Sequence, residues 1–301
     1  MIEVLSTIPI RVQSFEFTQS MDCVGTKVSF HSPEILPISS PLKVSIDGKT
    51  IFDGKVEAKV TSFSVSANEN QYGGRDLLTI RLDTCLHPKS FAKGMSVSQL
   101  LSDLCPDLPF EVRGKLPALP PFSVDPGEKL LETLQSAGKK IGASVFVSHG
   151  KVVFAKELRQ TTVSFGPQSA ILSLELEENV SQIFDELLFL EDKKEVAGEQ
   201  KKVRRVRILA LEAKMRKKEE KKDDLKAKIK QKSYEAIRDS FSCRISCSEL
   251  LPLEPYDLVS VNLPHFSISG SFAVSDIRYS LSKEEERMIV TLKKPEGFSL
   301  S

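Results

Sequence analysis

Apolar and polar residues alternate in short runs through the first 88 positions. Ile10-Arg11-Val12 and Ser14-Phe15-Glu16-Phe17-Thr18 follow the two-residue period of a half-buried strand. Val44-Ser45-Ile46 and Ile51-Phe52 flank Asp47-Gly48, a dipeptide suited to a tight hairpin turn. Ala67 to Asp76 is polar and contains Gly73-Gly74, which predicts a loop. A strand is expected after it, at Leu78-Thr79-Ile80-Arg81-Leu82.

The period then changes. Ser96 to Leu104 predicts a short helix with Ser96 as its N-cap. Pro106 and the group Pro117, Pro120 and Pro121 break the chain. A second helix is expected to open at Asp125 as N-cap, with Pro126 in the first helical position and Glu128 at the positive end. Leu130, Leu131, Leu134 and Ala137 form its apolar face, and Gly142 ends it. Two apolar runs, Ser144 to Ser148 and Lys151 to Ala155, predict a hairpin turning at His149-Gly150. Strands return at Thr162 to Phe165, Ile171 to Leu176 and Ile183 to Leu190. Residues 201–239 hold sixteen Lys or Arg, seven Asp or Glu, and no Gly or Pro, which predicts a long basic helix.

Two stretches carry one strand pattern written twice. The first runs Val44 to Ile46, Asp53 to Val56, Phe63 to Ser66 and Leu78 to Leu82. The second runs Val259 to Val261, Ser269 to Phe272, Tyr279 to Ser282 and Met288 to Leu292. Gly54 aligns with Gly270, and Phe63 with Tyr279. The expected fold is therefore mainly β, with two similar small antiparallel barrels, an α/β insert and one long charged helix. The boundaries read as a first barrel at 1–89, an insert at 90–158 and strands of the second barrel or a linker at 159–200. The helix follows at 201–240 and the second barrel at 241–301.

Composition excludes several functions. Lys plus Arg (42) balances Asp plus Glu (41), so no global charge recruits nucleic acid or an anionic membrane. No run of about 18 apolar residues exists to span a membrane. Met1-Ile2-Glu3-Val4-Leu5 lacks the basic and apolar regions of a secretory signal, so synthesis in a cytoplasm is expected. Cys23, Cys85, Cys105, Cys243 and Cys247 are odd in number and irregular in spacing, which argues against a disulfide framework. Cys243 and Cys247 would face one side of a strand, as reduced core residues.

Catalytic and metal signatures are weak. Ser136-Ala137-Gly138-Lys139-Lys140 lacks the upstream Gly and the following Ser or Thr of a phosphate loop. His31, His87, His149 and His265 pair with no Cys or carboxylate at ligand spacing. Neither Gly-x-Ser-x-Gly nor His-Glu-x-x-His occurs. Asp53, Asp83 and Asp276 are expected at strand ends or within strands. Gly73-Gly74-Arg75-Asp76 reads as a turn-forming glycine pair more readily than as an anion nest. The net charge of about +9 on 201–239 would attract polyanions, but Tyr234 is its one aromatic, so it has no stacking platform.

Several motifs, taken in order, resemble the baseplate hub proteins of contractile-tailed phages, especially the Mu-like hub and late control protein D group. Type VI secretion spike proteins share that hub module. Phe52-Asp53-Gly54-Lys55-Val56 is similar to the family's Gly-x-Val strand. Tyr72-Gly73-Gly74-Arg75-Asp76 is similar to its Gly-Arg segment, and Gly94 to Cys105 to the helix that follows. Pro126-Gly127-Glu128-Lys129 resembles its Gly-Glu-Thr/Ser helix, and His149-Gly150 its Asp-Gly turn. Leu253 to Val261 resembles the strand that leads into the second barrel. Pro295-Glu296-Gly297-Phe298 resembles the closing Pro-Glu-Ala-Phe, with Gly297 in place of Ala. A further departure is that Gly74-Arg75 lacks the following Ser.

The resemblance spans most of residues 44–298. It assigns structural positions to Gly54, Gly74, Arg75, Gly127, Glu128, Gly270, Pro295 and Phe298. It implies no catalysis, cofactor or metal. It implies a homotrimer whose two barrels per chain make a pseudo-sixfold ring in the virion tail, at the baseplate. That ring would join the tail tube or a distal tail protein to a separate spike protein, contact baseplate wedge proteins and pass DNA. The rival readings are a hub of a phage-derived injection apparatus, a hydrolase directed at peptidoglycan, and a nucleic-acid adaptor. The adaptor would use Lys214, Lys217, Lys218, Lys221 and Lys222 of the basic helix.

Overall fold

The computed structural model describes residues 2–21, 25–63, 68–148, 150–179, 181, 186–191, 194–200, 206–210, 232–282 and 285–298. Six strands come first: β1 (Ile2–Ser6), β2 (Ser14–Ser20), β3 (Lys27–Ser32), β4 (Pro41–Ile46), β5 (Lys49–Phe63) and β6 (Asn68–Asp76). The next stretch mixes α1 (Leu77–Leu82), β7 (Lys89–Phe91), α2 (Val97–Leu104), β8 (Phe110–Arg113), β9 (Phe122–Val124), α3 (Leu130–Lys140), β10 (Ser144–Ser148) and β11 (Lys151–Ala155). Then follow β12 (Arg159–Phe165), β13 (Ile171–Glu178), β14 (Glu186–Glu191), β15 (Lys194–Gln200) and β16 (Val206–Ala210). The last strands are β17 (Phe241–Cys247), β18 (Asp257–Leu263), β19 (Ile268–Leu281) and β20 (Glu286–Lys293). The chain divides into one unit of residues 1–174 with 244–292, and a second of 175–243 with 293–300.

The fold is mainly β. Its large sheet runs in the order β1-β4-β5-β6-β3-β2-β19-β20-β17-β13, with β12 and β18 joined through β19. This path does not close into a barrel among the described residues. Alternation buries one face: Phe15 and Phe17 on β2, Val28 and Phe30 on β3, and Ile277 and Tyr279 on β19 all point inward. Each such side chain contributes about 1.5–3 kcal/mol of transfer free energy. Tyr72 and Tyr279 are buried because their hydroxyls are satisfied. The Tyr72 hydroxyl donates to the Glu34 carbonyl at 2.8 Å, and that of Tyr279 to the Leu251 carbonyl at 3.0 Å.

The insert of the first unit has its own core, around Leu82, Leu100, Leu101, Leu134 and Phe154. Helices α2 and α3 cover the three-stranded sheet β10-β11-β8, in which β8 runs parallel to β11. In the second unit β15, β14 and β16 form a small sheet, and residues 232–239 are helical. Gly297 packs against that helix. A Cβ there would stand 2.5 Å from Arg238 Cβ and 2.6 Å from its Cα. The glycine that stands where the resembled hub motif has alanine is thus the residue that this close approach requires.

Several expectations are met. Asp47 (φ 48°) and Gly48 (φ 76°) make the β4–β5 turn. Ser96 and Gln99 form a reciprocal capping box on α2. Cys243 and Cys247 are buried on β17, and burial pushes both thiols up to about 11.

Others are corrected. Residues 68–76 are strand β6 and not a loop, because Gly73 and Gly74 let β5 approach closely. Leu78 to Leu82 lie in helix α1 and not in a strand, because Asp76 caps that helix by accepting from Thr79 N at 2.7 Å. Asp83 is accordingly a helix C-cap. The second helix begins at Leu130, with Lys129 at the N-cap. Asp125 to Glu128 form a turn before it, since Gly127 at φ 81° cannot enter a helix. The basic helix cannot run unbroken through 201–239, because Val206–Ala210 is a strand paired with β14. Lys214, Lys217, Lys218, Lys221 and Lys222 lie outside the described residues, as do Cys23 and His149.

Candidate functional site

The predicted positions Gly54, Gly74 and Arg75 come together at the β5–β6 pair, where Gly54 lies opposite Asp76 and Gly74 opposite Val56. Both glycines are buried, and both mark backbone contact. A Cβ on Gly74 would stand 2.6 Å from the Lys55 carbonyl oxygen. One on Gly54 would stand 2.5 Å from the Phe52 ring and closer still to the Arg75 carbonyl oxygen. Replacing Gly54 by Ala is expected to cost about 1–3 kcal/mol by overpacking. Urea unfolding checks this, and an unchanged midpoint would remove the close approach as the reason for glycine.

Arg75 extends from this pair as an electrostatic hub. Its Nε meets Glu57 Oε2 at 2.5 Å, its Nη2 meets Glu57 Oε1 at 3.1 Å, and its Nη1 pairs with Asp83. Lys129 Nζ reaches the other Asp83 oxygen at 3.2 Å. These two cations, Arg75 first, hold the Asp83 carboxyl below the usual carboxylate range, and Glu57 and Asp83 raise the Arg75 guanidinium. Asp76 is buried and accepts from Thr26 N at 2.8 Å and from the Thr79 hydroxyl at 2.5 Å, besides its helix cap.

The remaining predicted positions lie apart. Glu128 Oε2 accepts from Asp125 N at 3.0 Å, closing the turn that holds Gly127. Gly270 is exposed on β19 at φ 137°, opposite Val261, whereas Gly54 is buried opposite Leu42. Pro295 and Phe298 bound a three-ten turn, with Phe298 buried.

Sequence reading missed a second charged constellation in the first unit. Arg159 grips Asp257 with two parallel bonds of 2.6 and 2.7 Å, and reaches Glu254 at 3.1 Å. Arg113 of the insert meets the other Glu254 oxygen at 2.7 Å and Glu111 at 2.7 Å. Asp257 Oδ2 also accepts from Glu254 N at 2.8 Å. Burial raises the Asp257 carboxyl, the Arg159 fork opposes that, and Asp257 in turn raises Arg159. Beside the network the Phe146 and Tyr256 rings stack at 4.4 Å, with the Arg113 guanidinium 5.5 Å from the Phe146 centroid. The arrangement docks the insert on the sheet. Its three carboxylates, Glu111, Glu254 and Asp257, are all engaged by Arg113 or Arg159.

A cleft of about 440 Å³ lies among Phe52, Asp53, Asp76, Leu77, Arg81 and Pro109. Its acids are also engaged: Asp76 by the bonds above, and Asp53 with Lys43 at 3.7 Å. Among the described residues no group of three His, Cys, Asp or Glu could hold a metal ion. No described helix is long and apolar enough to cross a membrane.

No protein-family model matches the chain, and no curated protein matches it. Solved structures do. The prophage MuSo2 43 kDa tail protein from Shewanella oneidensis superposes with a TM-score of 0.84 over 98% of each chain at 15% identity. A tail protein from Neisseria meningitidis gives 0.80 over 99% of this chain and 98% of that one, at 16% identity. The c3393 protein of E. coli, a component of the type VI secretion system, gives 0.59 over 97% and 76%, at 11% identity. The chain has the fold of phage tail proteins.

Proposed function

We propose that the protein is a structural, non-catalytic component of a phage or prophage tail, and that it is the baseplate hub. The observation that carries this reading is the end-to-end likeness to the Shewanella tail protein, 98% of both chains at a TM-score of 0.84. The ordered motifs around Gly54, Arg75, Gly127 and Pro295 point the same way. The engaged carboxylates of both constellations favour a scaffold over an enzyme.

In this reading three chains form a closed ring. The strand-rich regions β1–β6 and β17–β20 act as two barrel-like halves per chain, so that three chains offer six similar positions to the tail tube and threefold symmetry to a separate spike. Baseplate wedge proteins would bind outside, and DNA would pass through the centre. The c3393 likeness also suits a hub of a phage-derived injection apparatus. Light scattering of the purified protein at moderate salt should give three times 33.5 kDa, about 100 kDa. A monomer at every concentration up to the micromolar range would overturn the ring.

A further inference from the structure

The outer face of the large sheet gathers like charges in one place. Strand register sets Lys55 of β5, Arg75 of β6 and Lys27 of β3 directly opposite one another, in one row across three strands. Like charges so placed destabilise a sheet unless anions stand among them. Glu57 and Asp83 both go to Arg75, and Asp53, two positions before Lys55, goes to Lys43. Lys27 and Lys55 are exposed, and among the described residues neither has an ion pair. The next row on this face is Ala58, Gly73 and Ser29, and the one after it is Val60, Gln71 and His31. Gly73 has no side chain and Ala58 a short one, so a shallow seat adjoins the cations. Val60, at 57% exposure, stands at its far side.

Strand β13 carries the matching pattern. It ends the path of the large sheet, so one of its edges pairs with no strand among the described residues. By alternation Leu172, Leu174, Leu176 and Glu178 share one side of it. Leu172 and Leu176 are 49% and 42% exposed. Glu177 and Glu178 are exposed too, and among the described residues neither has an ion pair. Successive residues on one side of a strand stand about 6.6 Å apart, which is also the separation of successive rows on the facing sheet. With Glu178 at the cation row, Leu176 falls on Ala58 and Gly73, and Leu174 on the row of Val60.

We infer that β13 of one copy lies along the β5-β6-β3 face of the next, with Glu178 and Glu177 against Lys55 and Lys27, and Leu176 over Ala58 and Gly73. This rests on the ring of the hub reading and names the surfaces that close it. The two surfaces are different parts of the chain, so the contact is head-to-tail, the kind that generates rings. Charge complementarity selects the occupant. The chain balances 42 basic against 41 acidic residues, yet it sets unengaged lysines on one surface and unengaged glutamates on another. A second copy supplies the acids on a strand whose repeat matches the rows beneath it.

The test is charge reversal on each surface and on both together. One variant carries Lys27→Glu and Lys55→Glu, a second Glu177→Lys and Glu178→Lys, and a third all four. Lys93→Glu with Lys139→Glu, two exposed lysines of the insert, is the control. A thermal melt by circular dichroism verifies that each variant folds. Light scattering over a dilution series gives the concentration at which the trimer dissociates. Each two-site reversal should raise that concentration at least about tenfold, and the four-site variant should return it to within about threefold of the wild type. Reversals that change nothing, a four-site variant that stays dissociated, or a control that dissociates equally overturns the assignment of these surfaces while leaving the ring intact. So does a lysine reversal that keeps the trimer and removes only binding to duplex DNA, which would make the row a polyanion site. Wild-type protein that is monomeric throughout overturns the ring itself, and this inference with it.

Discussion

Replacing Glu254 by Ala should lower unfolding free energy by about 3–5 kcal/mol, the usual cost of removing one member of a buried ion pair. The lower end is expected, because Arg159 is partly exposed and can turn to water, and because Glu111 stays beside Arg113. Arg113 sets the size of the loss. Its side chain is only 9% exposed, and its Nη1 has no hydrogen-bond partner among the described residues, so Glu254 supplies one of its two carboxylate contacts. The loss should fall on the docking of the insert. Limited proteolysis between Phe91 and Phe122 should therefore accelerate before the large sheet opens. Pairing Glu254→Met with Arg113→Met should recover most of the stability, because two apolar groups leave no buried charge behind. Urea unfolding of the three variants measures this. A loss below about 1 kcal/mol for Glu254→Ala would mean that the network is solvated and does not dock the insert.

Local signals were legible in the sequence, and contacts between distant residues were not. The β4–β5 turn could be read because Asp47-Gly48 carries its own backbone preference. The α2 start could be read because both partners of its capping box sit within four positions. Cys243 and Cys247 could be placed because strand alternation alone puts them on one side. Gly73-Gly74 misled because glycine marks both turns and close strand packing. Only the Lys55 carbonyl, on another strand, distinguishes the two. Helix α1 was hidden because Leu78-Thr79-Ile80-Arg81-Leu82 alternates like a strand, while the deciding group is the Asp76 side chain before it. The network of Arg113, Arg159, Glu254 and Asp257 joins residues 98 and 141 positions apart. No spacing rule reaches that far. The resemblance pointed to a phage tail protein, and the fold of phage tail proteins is what the chain has.

Asp76 is the second residue whose loss should be costly, and it links the misread segment to the fold. Asp76→Ala is expected to cost about 3 kcal/mol, combining a lost helix cap of about 1 kcal/mol with a buried amide left unpaired at about 1–3 kcal/mol. The amide is Thr26 N, which donates to Asp76 Oδ2 at 2.8 Å. Neighbouring Gly25 has φ 115° and has no room for a side chain against Thr79, so the turn has little freedom to find another acceptor. Asp76→Asn retains one oxygen and should lose about half as much, because it can serve the cap or Thr26 but not both at full strength. Hydrogen exchange separates the contributions. Thr79 N should lose protection in both variants if the cap fails, and Thr26 N should lose it in the Ala variant alone if Asn turns its oxygen toward β3. Equal protection of both amides in wild type and Asp76→Ala would show that α1 stands without its cap. The β6-to-α1 corner would then be set by packing of Leu78 and Leu82, and not by the carboxylate.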